Sequence, residues 1–262
     1  MRHLYTHLGE AQLALLLIGL SVGVSLGSLW LSYRFLPRLR FEENSADFGQ
    51  IYGSAIGTIF SLIFALVIVA DWQNYDRLSA GVSTEVNVLN NLHENLESFP
   101  AGLRIQGQAK LAAYVNRVVT VEWPLMADGQ RDPGSEGLLA ELTALLGWRK
   151  AVSLNELPAQ AEMLRLLAEA RNLRQDRIQG GAPYLDLPMW MSLGVGSVIL
   201  LGFSALLNMP SRRQHYIMQG ALGASIGVVL YLLLIYDTPF IGPGAITPAA
   251  MKALPEQIWV AP

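Results

Sequence analysis

The stretch GQIYGSAIGTIFSLIFALVIVADW, running from Gly49 to Trp72, decides the fold. Between Ile51 and Ala70 it carries no charged side chain, and about 20 predominantly apolar residues suffice for a helix to cross the hydrocarbon core of a bilayer. Three further stretches read the same way: about Gln12 to Leu36, Leu187 to Leu207, and Tyr216 to Tyr236. The first is longer than the roughly 7–15-residue apolar core of a secretory signal and shows no convincing small-x-small cleavage site, so it is read as a retained span. Trp30, Tyr33, Tyr52, Trp72, Trp190, Tyr216 and Tyr236 stand near span ends, where amphipathic rings favour the lipid–water interface. Composition agrees, with 52% hydrophobic and only 15% charged residues and a mean hydropathy of +0.34, against roughly 25% charged in soluble domains. The expected fold class is an all-α polytopic membrane protein: four transmembrane helices in two pairs plus a helical extramembrane domain.

Residues 1–72 are expected to hold the first two spans, 73–185 the extramembrane domain, 186–238 the last two spans, and 239–262 an irregular tail rich in Pro and Gly. Leu78, Val82, Val86, Leu89, Leu92 and Leu96 form a stripe at helical spacing, and no Pro or Gly cluster separates it from the second span. One long helix is therefore predicted to leave the membrane and end near Ser98, before Pro100. Further helices are expected over Leu103–Val121, Ser135–Trp148 and Leu157–Gln179, with a loop over Asp128–Gly134 and a hinge at Gly180–Pro183. No segment sustains the period-two alternation of a strand. With four spans, the short connections bearing Arg34, Arg38, Arg40, Arg212 and Arg213 share one side, and by the positive-inside rule that side is cytoplasmic. The chain is thus expected in a bacterial inner membrane with its helical domain extracytoplasmic, although Arg171, Arg174 and Arg177, if counted, offset the bias.

Three constellations stand out. Gly19, Gly23 and Gly27, then Gly49, Gly53 and Gly57, then Gly220, Gly223 and Gly227 make small-residue ridges; in lipid such ridges let backbones approach closely, either within one protomer or between subunits. Ser54, Thr58 and Ser61 share one face of the second span. They serve either as hydrogen-bonding glue or as the lining of a water-filled path. Asp71 and Asp237 close the second and fourth spans on the same side; each alone reads as a solvated carboxylate, and repeated in a ring they would form a vestibule favouring cations. Arg171, Arg174 and Arg177 read as a solvated cationic face at a helix end, or as partners for lipid phosphates or for Asp71, Asp76 or Glu85.

Other chemistries lack their residues. The absence of cysteine excludes disulfides, thiolate nucleophiles and Cys-ligated metals, and His3, His7, His93 and His215 are too dispersed for a metal motif. No phosphate-binding Gly-rich loop and no His-Glu-x-x-His occurs, and no enzyme activity or cofactor is expected. A net charge of −3 without a basic stripe gives nucleic acid nothing to bind.

Several local patterns together resemble the bacterial bestrophin-like family of four-span membrane proteins. They are Leu36-Pro37-Arg38 followed by Glu42-Glu43, the Gly49–Trp72 span running on to Tyr75, Glu85 and Asn90, Arg171-x-x-Arg174 before Pro188-x-Trp190, and Tyr236-Asp237-Thr238-Pro239-Phe240-Ile241-Gly242. The last is the most specific, and the likeness is loose between about residues 100 and 165. The resemblance implies relation to bestrophins, which are oligomeric anion channels. Phe60 and Phe64, four apart on one face of the second span, are then the nearest candidates for a bestrophin-like aromatic neck, and otherwise read as lipid contact or packing. The expected function is an oligomeric membrane ion channel or pore, its ion unassigned, with the lipid bilayer, further copies of the chain and a small inorganic ion as partners. The competing expectation is a non-conducting scaffold or sensor that couples the helical domain to the bilayer.

Overall fold

Every regular element is a helix among the residues described by the computed structural model, which are 9–37, 46–126, 129–147, 156–242 and 244–258. Of the patterns above, Arg38, Arg40, Glu42-Glu43, Asp128, His3 and His7 lie outside the described residues. In chain order the helices are α1 (Glu10–Phe35), α2 (Ala46–Leu96), α3 (Ala101–Arg117), a π-helical turn (Val118–Glu122), α4 (Trp123–Met126), α5 (Pro133–Gly147), α6 (Glu156–Gln179), α7 (Leu187–Leu206), α8 (Arg212–Tyr236) and α9 (Ala249–Ile258). Four of them, α1, α2, α7 and α8, are long and apolar enough to cross a membrane, and the protein is an integral membrane protein.

The chain divides into two compact units. The membrane unit takes residues up to Asn74, Pro183–Thr238 and Gly242–Gly244. Its helices begin where side chains can satisfy the free N–H groups of a first turn. Asp186 accepts from Met189 N (3.1 Å) to open α7, with Pro188 in the first turn where its missing N–H is no loss. Ser211 accepts from Gln214 N to open α8. The largest contact in this unit joins α1 and α8 lengthwise, and α7 packs beside them. Ile51, Ile59, Leu62, Leu66, Leu187, Val195 and Ile217 stay exposed, as lipid contact requires rather than as water would tolerate.

The helical unit takes Tyr75–Ala182, Pro239–Ile241 and Ala245–Pro262. Leu78, Val82, Leu89, Leu92 and Leu96 of the expected stripe are all buried, and they pack with Leu111, Val115, Leu139, Leu142, Met163, Leu166 and Ala170. Helix α2 ends at Leu96 and Pro100 precedes α3, since a proline disfavours helical backbone in the residue before it. Pro124 behaves otherwise: it sits in the first turn of α4 and the chain stays helical through it. The tail also departs from expectation. Instead of being irregular, Ala249–Ile258 is helical and docks Met251 and Leu254 into the unit's core, where they are 0% and 5% exposed. Three apart, they share a helix face, a pattern that the flanking prolines and glycines obscure.

Candidate functional site

Within the membrane unit the hydroxyl line of α2 is solvent- or lipid-facing. Ser54 Oγ donates to Gln50 O (2.8 Å), Thr58 Oγ1 to Ser54 O (2.8 Å) and Ser61 Oγ to Thr58 O (3.0 Å). Each hydroxyl is thus satisfied by its own helix while its oxygen remains uncovered in the single chain. Ser54 lines a groove of ≈ 340 Å³ with Gly53, Phe203, Ser204 and Leu222. Ser61 lines one of ≈ 290 Å³ with Ala65, Leu200, Ser225 and Ile226. Phe60 and Phe64 line that same groove beside Ser61, Phe60 half-buried and Phe64 buried. Their rings meet edge to face at 4.7 Å between centroids. Phe64 is 7% exposed among Val67, Leu193 and Leu233, and Phe60 lies against Gly196, where a Cβ would collide with its ring. Both aromatics thus pack within the protomer while edging the groove, Phe60 where Gly196 leaves room for its ring.

The glycine ridges differ in use. A Cβ at Gly223 would lie 2.6 Å from the Ser25 Cβ and 2.9 Å from the Ser21 carbonyl oxygen. One at Gly227 would lie 2.7 Å from the Ile18 Cα, and Gly220 faces Leu26 at an ordinary distance. These glycines let α8 press on α1. In α2, Gly53 receives the Phe203 ring and Gly57 the Leu200 side chain of α7, while Gly49 is buried. Gly19, Gly23 and Gly27 of α1 meet nothing within 4 Å and are exposed.

Asp71 and Asp237 are not solvated carboxylates: both are 0% exposed. Asp237 caps α8 and accepts from Leu185 N (2.6 Å) and Trp190 Nε1 (3.1 Å), one on each oxygen. Among the described residues neither oxygen of Asp71 has a hydrogen-bond partner. In the single chain neither carboxylate is open to water as a vestibule lining would be, and Asp237 is held by the segment leading into α7.

Sequence reasoning missed a polar belt joining α1, α7 and α8. Ser25 Oγ donates to Gln219 O (2.6 Å) and Ser32 Oγ to Ala205 O (2.8 Å). Gln219 Nε2 donates to Leu201 O (3.0 Å), and its Oε1 accepts from Ser204 Oγ (2.9 Å). His215 continues the belt, with Nδ1 3.1 Å from Tyr33 OH and Nε2 3.3 Å from Ser204 O. Its signal was a Gln and a His four residues apart on one helix face, Gln219 and His215, inside an apolar stretch.

The helical unit buries charge. Arg177 donates to Glu85 (Nε to Oε2, 2.7 Å) and to Glu122 (Nη2 to Oε1, 2.9 Å). Arg174 forks onto Glu122 at 2.9 and 2.6 Å and reaches Asp132 O at 3.0 Å. All four side chains are at most 5% exposed. The solvated-face reading of this arginine run therefore holds for Arg171 alone, and pairing with Glu85 is the option realised. Tyr114 OH donates to Glu85 Oε1 at 3.4 Å, and burial, with Glu85 beside it, pushes the phenol well above its usual range. For Arg177, burial works against the charged form, but Glu85 overcomes it and holds the guanidinium above its ordinary value. The π turn brings Trp123 N to Val118 O and sets Glu122 inward on the stripe that Leu111, Val115 and Val118 begin. Among the described residues, no group of three or more His, Cys, Asp or Glu could hold a metal ion.

No curated protein matches this chain in sequence. A membrane protein of known crystal structure shares the fold, with a TM-score of 0.67 and 13% identity over 94% of this chain and 97% of the other. The bestrophin-like domain matches residues 19–251, a range that takes in most of α1, the other three spans and the buried Arg–Glu network. The chain belongs to the bestrophin-like family.

Proposed function

We propose that this protein assembles as a homo-oligomer and conducts a small inorganic ion along its second span. The observation that carries the reading is the line of Ser54, Thr58 and Ser61, which stays uncovered in the single chain among exposed Ile51, Ile59 and Leu62. Facing acyl chains, those oxygens would gain nothing from their polarity; facing a shared axis, they would offer dipoles to a partly dehydrated ion. The open Gly19–Gly23–Gly27 ridge supports assembly, since close backbone approach is what drives helix association in lipid. Kinship with bestrophins, which are oligomeric anion channels, supports conduction by analogy of fold. The ion stays unassigned, because the two carboxylates that would have favoured cations are buried. We further place the protein in a bacterial inner membrane, with the arginine-bearing short connections in the cytoplasm and the helical unit outside.

Purified protein in liposomes should pass a small ion, and Thr58→Trp should cut that flux several-fold while the oligomer persists on size-exclusion chromatography. Tight vesicles at high protein density would overturn the pore and leave the non-conducting scaffold.

A further inference from the structure

The second span ends in a buried acid that no neighbour satisfies. Asp71 follows the apolar run directly, is 0% exposed, and has no hydrogen-bond partner on either carboxyl oxygen among the described residues. The charged group whose field reaches it is Asp237, of the same sign and equally buried. Asp186, at the start of α7, is exposed and turned to Met189 N, while Asp76 and Arg77 are exposed. Trp190 and Leu185, which hold Asp237, are uncharged.

Two unpaired negative charges in one buried place are far costlier than one. Such a group escapes by acquiring a cation or a proton. A hard cation gathers about six or more oxygen ligands, and no cluster of three or more acidic or imidazole ligands exists among the described residues. A proton needs one oxygen. Both oxygens of Asp237 already accept from N–H groups, so a proton there would oppose a donor, whereas the Asp71 oxygens face none.

We infer that Asp71 is a proton-binding site, a neutral carboxylic acid that leaves the Asp71–Asp237 pair with a single negative charge. In forming it, a hydronium ion gives its proton to one Asp71 oxygen: one O–H bond forms there, one hydronium O–H bond breaks, and water is released. The pair stands where three spans meet: α2 supplies Asp71, α8 ends at Asp237, and Asp237 holds the chain that starts α7 through Leu185 N and Trp190 Nε1. Loss of the proton would set like charges against each other at this joint, making it sensitive to alkaline conditions. The inference does not depend on conduction.

Infrared spectroscopy of the full-length protein in detergent, with aspartate labelled by carboxyl ¹³C, tests it. At neutral pH the wild type should show a label-shifted carboxylic-acid C=O band, present in Asp186→Asn and absent from Asp71→Asn. A wild-type spectrum without that band overturns the inference whatever the variants do, as does a band that survives in Asp71→Asn. A rise in Tm on adding calcium or sodium, seen in the wild type and lost in Asp71→Asn, would also overturn it and assign the site to a metal ion.

Discussion

The two units solve the same problem with different chemistry. Each buries polar side chains, but the helical unit buries full charges in opposed pairs, Glu85 and Glu122 against Arg174 and Arg177. Apart from the Asp71–Asp237 pair, the membrane unit buries hydroxyls and an amide and satisfies them mostly with backbone carbonyls, as Ser25, Ser32 and Gln219 do. The choice follows from the reference state. A water-facing domain folds from a chain whose charges were hydrated and must recover that loss through close pairing. A span waits in lipid, where a hydroxyl can use its own helix's carbonyls until a neighbour arrives, so each interhelical bond adds modestly.

The comparison breaks most readily at Glu122. Replacing it with Ala strands Arg174 and loosens Arg177 in a dry core, and the helical unit should lose about 3–5 kcal/mol, visible as a large drop in its denaturant midpoint. In the membrane unit the equivalent disruption is steric. Gly223→Leu would drive a side chain into Ser25 and the Ser21 carbonyl, costing roughly 1–3 kcal/mol as overpacking does, and should lower the Tm in detergent. Gly23→Leu meets open space; it should leave the protomer's Tm alone and shift only the oligomer's elution. Equal Tm losses for both variants would mean that the ridges do not differ in use.

The smallest expected effect is a pH dependence confined to the helical unit. The Arg117 guanidinium, bonding Asp132 at 2.6 and 3.0 Å, together with Ser135 and the Gly134 and Ser135 N–H groups, holds the Asp132 carboxyl well below the usual carboxylate range. A carboxyl depressed on folding stabilises the fold above its unfolded value, near 4, and that contribution is lost as pH falls from there toward the folded value. Half-exposed Arg117 is screened by water, so the loss should be slight. Asp132→Asn should flatten unfolding midpoints measured between neutral and acid pH; an unchanged slope would remove the pair from the account.

Legibility from sequence follows the same division. The four spans are legible because lipid demands an unbroken apolar run, and the long second helix because its stripe continues past Trp72 without a breaker. The partners inside each unit are less so. Glu85, Glu122, Arg174 and Arg177 lie up to 92 residues apart, and no spacing links them. A signal existed nonetheless: Glu85 stands on the stripe between Val82 and Leu89, and Arg174 and Arg177 stand on the face of Met163, Leu166 and Ala170. Two acids and two bases at core positions of separate helices are candidates to pair. The opposite error lies at Asp71 and Asp237: a position at a span end suggests water, yet both are buried, and Asp237 is held by Leu185 N and Trp190 Nε1. Phe60 packs where Gly196 makes room for its ring, which no local pattern in α2 reveals.

The belt around Gln219 has a consequence for biosynthesis. Ser25 and Gln219 are 194 residues apart, and at 5–20 residues per second the ribosome needs on the order of 10–40 s to travel between them. Throughout that interval the first helix is already made while its partner does not exist. Its serines must idle on their own carbonyls, as Ser28 does on Ser25 O, and the membrane half closes only when the last span leaves the translocon.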